Sequence, residues 1–459
     1  MPATPAAQLD TAALRQFILG LAEGMIAAED SVDYIHETLG QVARAYGADD
    51  VEFVILPTLI LVETGSGETE RLALRTSRPG GLRFDQIAAL YDLIEQARSG
   101  SIDPRDGIGR LNEIGASRPR HGWVVRVLGH ALLTAGLSLL LAPTWEGVLI
   151  AFGLGAVLGL AKLIRSPTLQ LVFPVVAAFV SGVVVFLLAP HVPMGDPVRL
   201  MIAPLATFLP GGVLTTATME LAARQMVAGS SRLVTGLVQL GLLSFGIIAA
   251  GTVVGVASTT YVPLVTTEGF PWWTAVLGVL LFAVGNFLHF SAPGRTFGWI
   301  LLVLLVAYAG QSIGSVLVGA TISGFVGAAV MTPLVLWIGT LKHGAPTQLT
   351  FLPAFWLLVP GAAGLVGLTE AVGSGASLED FADALTSIMS IALGVLIGTA
   401  VYRFAKHGAA EVASFHIDVP ALREEEEPPL WARFVPGTPR SFWGRARREA
   451  STSPSEDDN

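Results

Sequence analysis

The sequence has no cysteine, and only 3 of its 27 basic residues are lysine. The first absence excludes disulfides, thiolate metal sites and cysteine nucleophiles. The second, with 24 arginines, points to a GC-rich bacterial genome and to nothing mechanistic. Charge is scarce as well: Asp, Glu, Lys and Arg make up 14% of the 459 residues, against about a quarter in soluble domains. No phosphate-binding P-loop, dinucleotide fingerprint or metal-ligand cluster is present, so ATP-driven pumping by this chain is unsupported and no cofactor or metal is expected. Met1 to Gly24 lacks the basic start and apolar core of a secretory leader. The net charge of −9 lies mostly in the two polar ends.

What is present is apolar sequence, 52% of the chain. Runs such as Thr168–Ala189 and Leu233–Ala257 are too long and too free of charge for buried strands, which excludes a soluble α/β enzyme with a greasy core. From Val124 onward ten apolar spans can be placed: 124–141, 147–164, 168–189, 198–216, 233–257, 272–290, 296–312, 314–338, 347–370 and 381–402. Each is near the ~17–25 residues that a bilayer demands. The split between the seventh and eighth spans, at Gly310–Gly314, requires a very tight turn. Arg118, Arg120, Arg126, Lys162, Arg165, Arg224, Arg232, Arg295, Lys342, Arg403 and Lys406 fall on one set of span ends. The alternate loops 142–146, 258–271, 312–313 and 371–380 hold no basic residue. By the positive-inside rule both termini are cytoplasmic. Only Arg199, beside Asp196, breaks the pattern.

Residues 1–118 read as a small cytoplasmic α+β domain. Helical periodicity covers Ala12–Ala45 with a break near Asp30-Ser31, and Val51–Glu63 reads as a strand whose Pro57 sits at an edge or bulge. A hairpin turn at Gly65-Ser66-Gly67 leads to Glu70–Thr76. Helices follow at Phe84–Arg98 and near Pro104–Glu113. His36, Glu37, Asp49, Asp50 and Arg71 have no catalytic spacing and read as a solvated face. Residues 406–459, with Glu424–Glu427 and the arginines of 440–448, read as a disordered cytoplasmic tail, solvated or in touch with anionic lipid.

The most informative stretch is Ala203–Glu220, APLATFLPGGVLTTATME. An apolar helix breaks at Pro210-Gly211-Gly212, restarts with threonines and ends on a glutamate ten residues beyond the proline. Pro353–Glu370 repeats the figure 150 residues later, with Pro360-Gly361 and Glu370. Ala178…Ser181-Gly182 matches Ala320…Ser323-Gly324 at an offset of 142. The membrane part is therefore expected to be two five-span units, 120–260 and 265–405. Five is odd, so the second unit enters from the opposite side and the repeats are inverted, as in many secondary carriers. The expected fold is a polytopic α-helical membrane protein: ten transmembrane helices as two inverted five-helix repeats, with a small N-terminal α+β cytoplasmic domain.

Proline removes a helix N–H, and a broken helix is tolerated in hydrocarbon only where protein or a wet cavity covers it. The N–H groups of the restarting helix suit a carboxylate. Pro210, Gly211, Gly212, Pro360 and Gly361 are thus candidate substrate-binding residues. Thr207, Thr215 and Thr216 supply hydroxyls beside the first break, and Asn286 is a polar group at membrane depth. The competing reading is a packing kink. Glu220 and Glu370 are candidate proton carriers, because ionisable groups near the membrane are costly and often functional. Ten helical residues is about 15 Å, so each carboxylate can equally be interfacial, facing headgroups or an arginine such as Arg224. His130, His289 and Gln239 suit helix-to-helix hydrogen bonds, and Gly155-xxx-Gly159 suits close packing. Gly310-Gln311-Ser312-Ile313-Gly314 mimics the serine-hydrolase elbow but lacks the strand and helix that motif needs.

These residues resemble a known family. DDVEFVILPTLILVE, HGWVVRVLGHALLTAGLSLLL, FLPGGVLTTATMELAARQMVAGSSRLVTGLVQL and LPAFWLLVPGAAGLVGLTE are similar to segments of the bacterial threonine/serine exporters, over most of residues 12–405. The resemblance implies a transporter, not an enzyme, in the bacterial inner membrane. It implies export of L-threonine and L-serine driven by the proton motive force, as a proton antiport. Expected partners are these amino acids, protons and the lipid bilayer, with no nucleic acid; a homo-oligomer is left open. The alternative is a membrane scaffold or channel-like protein whose N-terminal domain carries a regulatory or hydrolytic function.

Overall fold

The computed structural model describes residues 11–49, 51–64, 71–76, 81–141, 144–164, 166–261, 270–358, 360–373 and 378–413. By internal packing, Met1–Lys406 is one unit and His407–Asn459 another, of which only the end of a helix is described.

The N-terminal part begins with α1 (Thr11–Ala27) and α2 (Val32–Ala45). Leu14, Phe17, Ile18, Leu21, Ala22 and Met25 recur at helical spacing and are buried, which fixes the inner face of α1. The expected break near Asp30-Ser31 is present as a tight turn in which Glu29 takes a positive φ of 65°. Strands β1 (Glu52–Leu56), β2 (Leu59–Thr64) and β3 (Arg71–Thr76) form an antiparallel sheet in the order 1-2-3. Here the single strand expected over 51–63 is corrected. Leu56 pairs with Leu59, so Pro57-Thr58 is itself a hairpin turn; proline has no N–H to give the ladder and takes the corner instead. The turn expected at Gly65–Gly67 lies outside the described residues. Helix α3 (Phe84–Arg98) follows, then α4 (Pro104–Ala116), which opens with Pro104 and is capped by Asp103 through the Arg105 N–H at 2.8 Å.

Twelve further helices follow among the described residues: α5 (Trp123–Leu141), α6 (Trp145–Ala161), α7 (Pro167–Leu188), α8 (Pro197–Leu205), α9 (Gly211–Ala222), α10 (Met226–Val254), α11 (Trp272–His289), α12 (Phe297–Leu317), α13 (Ser323–Gly339), α14 (Thr347–Leu358), α15 (Pro360–Gly373) and α16 (Leu378–Ala413). Among the described residues five helical segments, on α5, α10, α11, α12 and α16, are long and apolar enough to cross a bilayer, six if the bent α8–α9 pair is one span. Trp272, Phe245, Val253 and Val316 stand more than 60% exposed on these helices, an arrangement that suits lipid and not water. The protein is a polytopic α-helical membrane protein.

Helices α5 and α11 pack with almost no separation. A Cβ added at Gly136 would stand 2.6 Å from the carbonyl oxygen of Gly278, so only glycine fits. Gly155 and Gly159 of α6 press on Thr134 and His130 of α5, as close-packing residues. The division expected at Gly310–Gly314 is corrected: α12 runs unbroken through it. Gly310 and Gly314 let α13 approach, and the chain turns at 318–322, where Gly319 has a φ of 89°. The elbow-like GQSIG is therefore helix interior.

The N-terminal part packs onto the membrane helices by an aromatic stack. Phe84 lies against Phe290 and Phe290 against Trp356, with ring centroids 4.8 and 5.1 Å apart. The Phe84 N–H donates to the Phe290 carbonyl at 3.1 Å, and Arg295 pairs with Asp92 at 2.8 Å.

Candidate functional site

The break between α8 and α9 follows from local sequence. Pro204 lies inside α8, Ala206–Phe208 tighten to a 3-10 turn, Leu209 is extended and Pro210 opens α9. The two halves meet at 70°. A broken helix leaves carbonyls without partners, and the amide of Gln239 on α10 donates to the Phe208 carbonyl at 2.6 Å. Gln239 is thus a helix-to-helix bond that repairs the break. At the second expected break α14 ends at Leu358 and α15 starts at Pro360. Val359 and the side chains of Pro360 and Gly361 lie outside the described residues.

The turn between α1 and α2 is seated at the first break. A Cβ on Gly212 would stand 3.2 Å from Oε2 of Glu29. A carboxylate therefore already occupies the neighbourhood of the α9 N-terminus, where free N–H groups favour negative charge. Asp30 follows, 1% exposed. Its Oδ1 accepts the Tyr91 hydroxyl and the Gln348 amide of α14, each at 2.6 Å. Arg232 of α10 donates to the Asp30 carbonyl at 3.0 Å and pairs with Glu220 at 3.3 Å. Glu220 accepts the Val32 N–H at 3.0 Å, so it serves as the anionic cap of α2. Its cationic partner is Arg232, not Arg224, which is exposed.

Burial pushes the Asp30 carboxyl up to about 7, against the hydrogen bonds from Tyr91 and Gln348 and the charges of Arg232 and Arg98. Burial also raises Glu29, with Arg232 opposing. These groups border a cavity of about 460 Å³, walled by Gly212, Thr216, Met219, Gln348, Phe351 and Phe355. That size is in the range of small-molecule sites.

The residues expected to bind substrate divide. Gly212 and Thr216 line this cavity. Thr215 is buried beside them, its hydroxyl without a hydrogen-bond partner among the described residues. Pro210 and Gly211 form the corner itself. Thr207 turns the other way, toward Lys162 and His130. Asn286 is buried on α11 and donates to the Phe282 carbonyl of its own helix at 2.9 Å; it does not line the cavity. Glu370 is buried near the end of α15, next to Thr369, whose hydroxyl meets Ser244 of α10 at 3.0 Å. The sequence reading passed over Glu29, Asp30, Tyr91, Arg232 and Gln348. The available signal was two adjacent acids, Glu29 and Asp30, at the break between two helical segments.

The family model described as "putative threonine/serine exporter" matches residues 16–254, slightly more than half of the chain. The chain belongs to this family. The description is that of an exporter and not of a catalyst. The matched stretch contains the Glu29-Asp30 turn, the α8–α9 break, Glu220 and Arg232. The chain is also similar to a protein named pheromone-regulated membrane protein 10 from Eremothecium gossypii, 23% identical over 249 residues. That match covers 52% of this chain and 33% of the relative, so the chain spans about a third of that protein's length. No solved structure matches.

Proposed function

We propose that this protein exports L-threonine and L-serine across a bacterial inner membrane, driven by the proton motive force as a proton antiport. The observation that carries the reading is the broken α8–α9 helix opening on a cavity of about 460 Å³ edged by Glu29, Asp30 and Glu220, with Arg232 paired to Glu220. A zwitterion needs both signs of charge within a few ångströms, with a hydroxyl for its side chain. The carboxylates serve the ammonium group, Thr216 and Thr215 the hydroxyl, and the N–H groups at Gly211–Gly212 the carboxylate once Glu29 leaves that seat. Thr207, Pro210, Pro360, Gly361 and Asn286 complete the proposed substrate path, and Glu220 or Glu370 takes the coupling proton.

In this reading the ten apolar segments all cross the membrane, with both termini cytoplasmic. Residues 1–118 form the cytoplasmic domain, 120–260 and 265–405 the two inverted five-helix units, and 406–459 the tail. Matched glycine contacts support the repeat. Gly182 of α7 meets Ala250 of α10, and Gly324 of α13 meets Ile391 of α16. Gly246 of α10 meets Ala178, and 148 residues later Gly394 of α16 meets Ala328.

The test is efflux of threonine and serine from cells loaded with the corresponding dipeptides, with and without a protonophore. Export that a protonophore abolishes, and that Gly212→Leu and Gly361→Leu both eliminate at normal expression, is the expected result. Undiminished export from the two variants would refute the site, and protonophore-insensitive export would refute the coupling.

A further inference from the structure

On the far side of the same break lies a second cavity, of about 370 Å³ and opposite charge. Arg83, Arg126, Lys162 and His289 line it together with Phe173, Phe208 and Phe290, and no carboxylate does among the described residues. Lys162 follows the last turn of α6. Its ammonium donates to the Thr207 hydroxyl and lies 4.2 Å from the centroid of the Phe208 ring. It has no ion pair among the described residues, whereas Arg83 is matched by Asp85 at 3.0 Å. The Arg126 Nε donates to the His289 carbonyl at 3.3 Å.

The hydrogen bonds around Lys162 leave it with donors to spare. Nδ1 of His130 is 2.7 Å from the Gly155 carbonyl, so it must carry the proton. In the neutral ring Nε2 is then an acceptor, and the Thr207 hydroxyl at 3.1 Å donates to it. Thr207 is thereby oriented to accept from Lys162. One of the three ammonium N–H groups is used, and the others face a cavity with aromatic and aliphatic walls. A cation held in such surroundings without a counter-charge is costly. The Lys162 charge therefore calls for a negative partner.

We propose that this cavity is a second ligand site, which binds the carboxylate of a small organic acid to Lys162. The ligand class is a monoanionic carboxylate with an apolar or weakly polar remainder, and its source is either a free acid or the carboxylate end of an amino acid. The inference stands on the geometry at Lys162 and does not depend on the direction, substrate or coupling of transport.

The chain's three lysines, 162, 342 and 406, make the test internally controlled, because Lys342 and Lys406 are exposed. The full-length protein in phosphatidylcholine nanodiscs is acylated with an amine-reactive ester, and the rate at each lysine is read by mass spectrometry. Saturating acetate should slow acylation of Lys162 at least tenfold and leave the other two unchanged, while acetamide protects nothing. Equal protection by L-threonine but not by L-threoninol, which lacks the carboxylate, assigns the site to an amino acid; protection by acetate alone assigns it to a free acid. Protection by inorganic phosphate without acetate, or by neither acetate nor L-threonine, overturns the proposal. A second readout covers a lysine too shielded to react. Acetate should raise the unfolding temperature of the wild type and not of Lys162→Met, and no rise in the wild type overturns the site. Loss of threonine export would bear on neither measurement.

Discussion

The Asp30 carboxyl makes the contact between the N-terminal turn and the membrane helices dependent on pH. Seated in the cavity, it keeps its proton to about pH 7 because burial disfavours the charged form. In an undocked, hydrated turn it would lose the proton near its ordinary 3.8. The seated state therefore binds the extra proton, so seating is strongest below about pH 4, weakens as pH rises through 7 and levels off just above. About three units of difference correspond to about 4 kcal/mol over the whole range, and the span from pH 6 to pH 8 should cost about tenfold, or about 1.4 kcal/mol. The charged and titratable neighbours are Glu29, Tyr34, Tyr91, Arg98, Glu220 and Arg232. Of these Glu29 has the same sign, because burial raises it too, whereas Tyr91 is raised and stays protonated. The assay is hydrogen exchange of the segment 28–35 in nanodiscs, whose Val32 N–H is held by Glu220. Protection, corrected for the intrinsic pH dependence of exchange, should fall at least tenfold in the wild type. Asp30→Asn should remove about a tenfold share of that fall, and Asp30→Asn with Glu29→Gln should leave less of it than Asp30→Asn alone. A flat wild-type profile, or an undiminished fall in Asp30→Asn, would refute the reasoning.

Three further outcomes follow from the same contacts. Arg232→Met should destabilise the protein by about 3–5 kcal/mol, because it strands a buried carboxylate; adding Glu220→Gln should recover most of the lost thermal stability, and a double variant no better than the single one would count against the pair. Gly246→Leu should prevent folding, since its Cβ would come 2.7 Å from the Val175 carbonyl, whereas Gly241→Leu on the same helix meets nothing within 4 Å; size-exclusion profiles of the two variants decide this. Glu220→Gln and Glu370→Gln should each be tested for proton-coupled export, with at least one expected to uncouple; coupling intact in both would move the proton carrier elsewhere, with Asp30 the next group to replace.

The sequence by itself determined what depends on neighbours along the chain. Apolar run length marked the membrane class, and helical periodicity placed α1 and α3, because the burial that shapes them repeats every few residues. Pro210-Gly211-Gly212 announced the break for the same reason: a missing N–H acts on its own turn of helix. Where two local signals competed the reading erred, as at Pro57, where an apolar run hid a hairpin, and at Gly310–Gly314, where glycines that admit a neighbouring helix looked like a turn. Only the tertiary structure decided the site. Glu220 meets Val32 across 188 residues, and Gln348 meets Asp30 across 318. No periodicity encodes such pairings; they exist because buried charge must find a partner wherever the fold brings one. The same requirement, unmet at Lys162 among the described residues, is what sets the second cavity apart from the first.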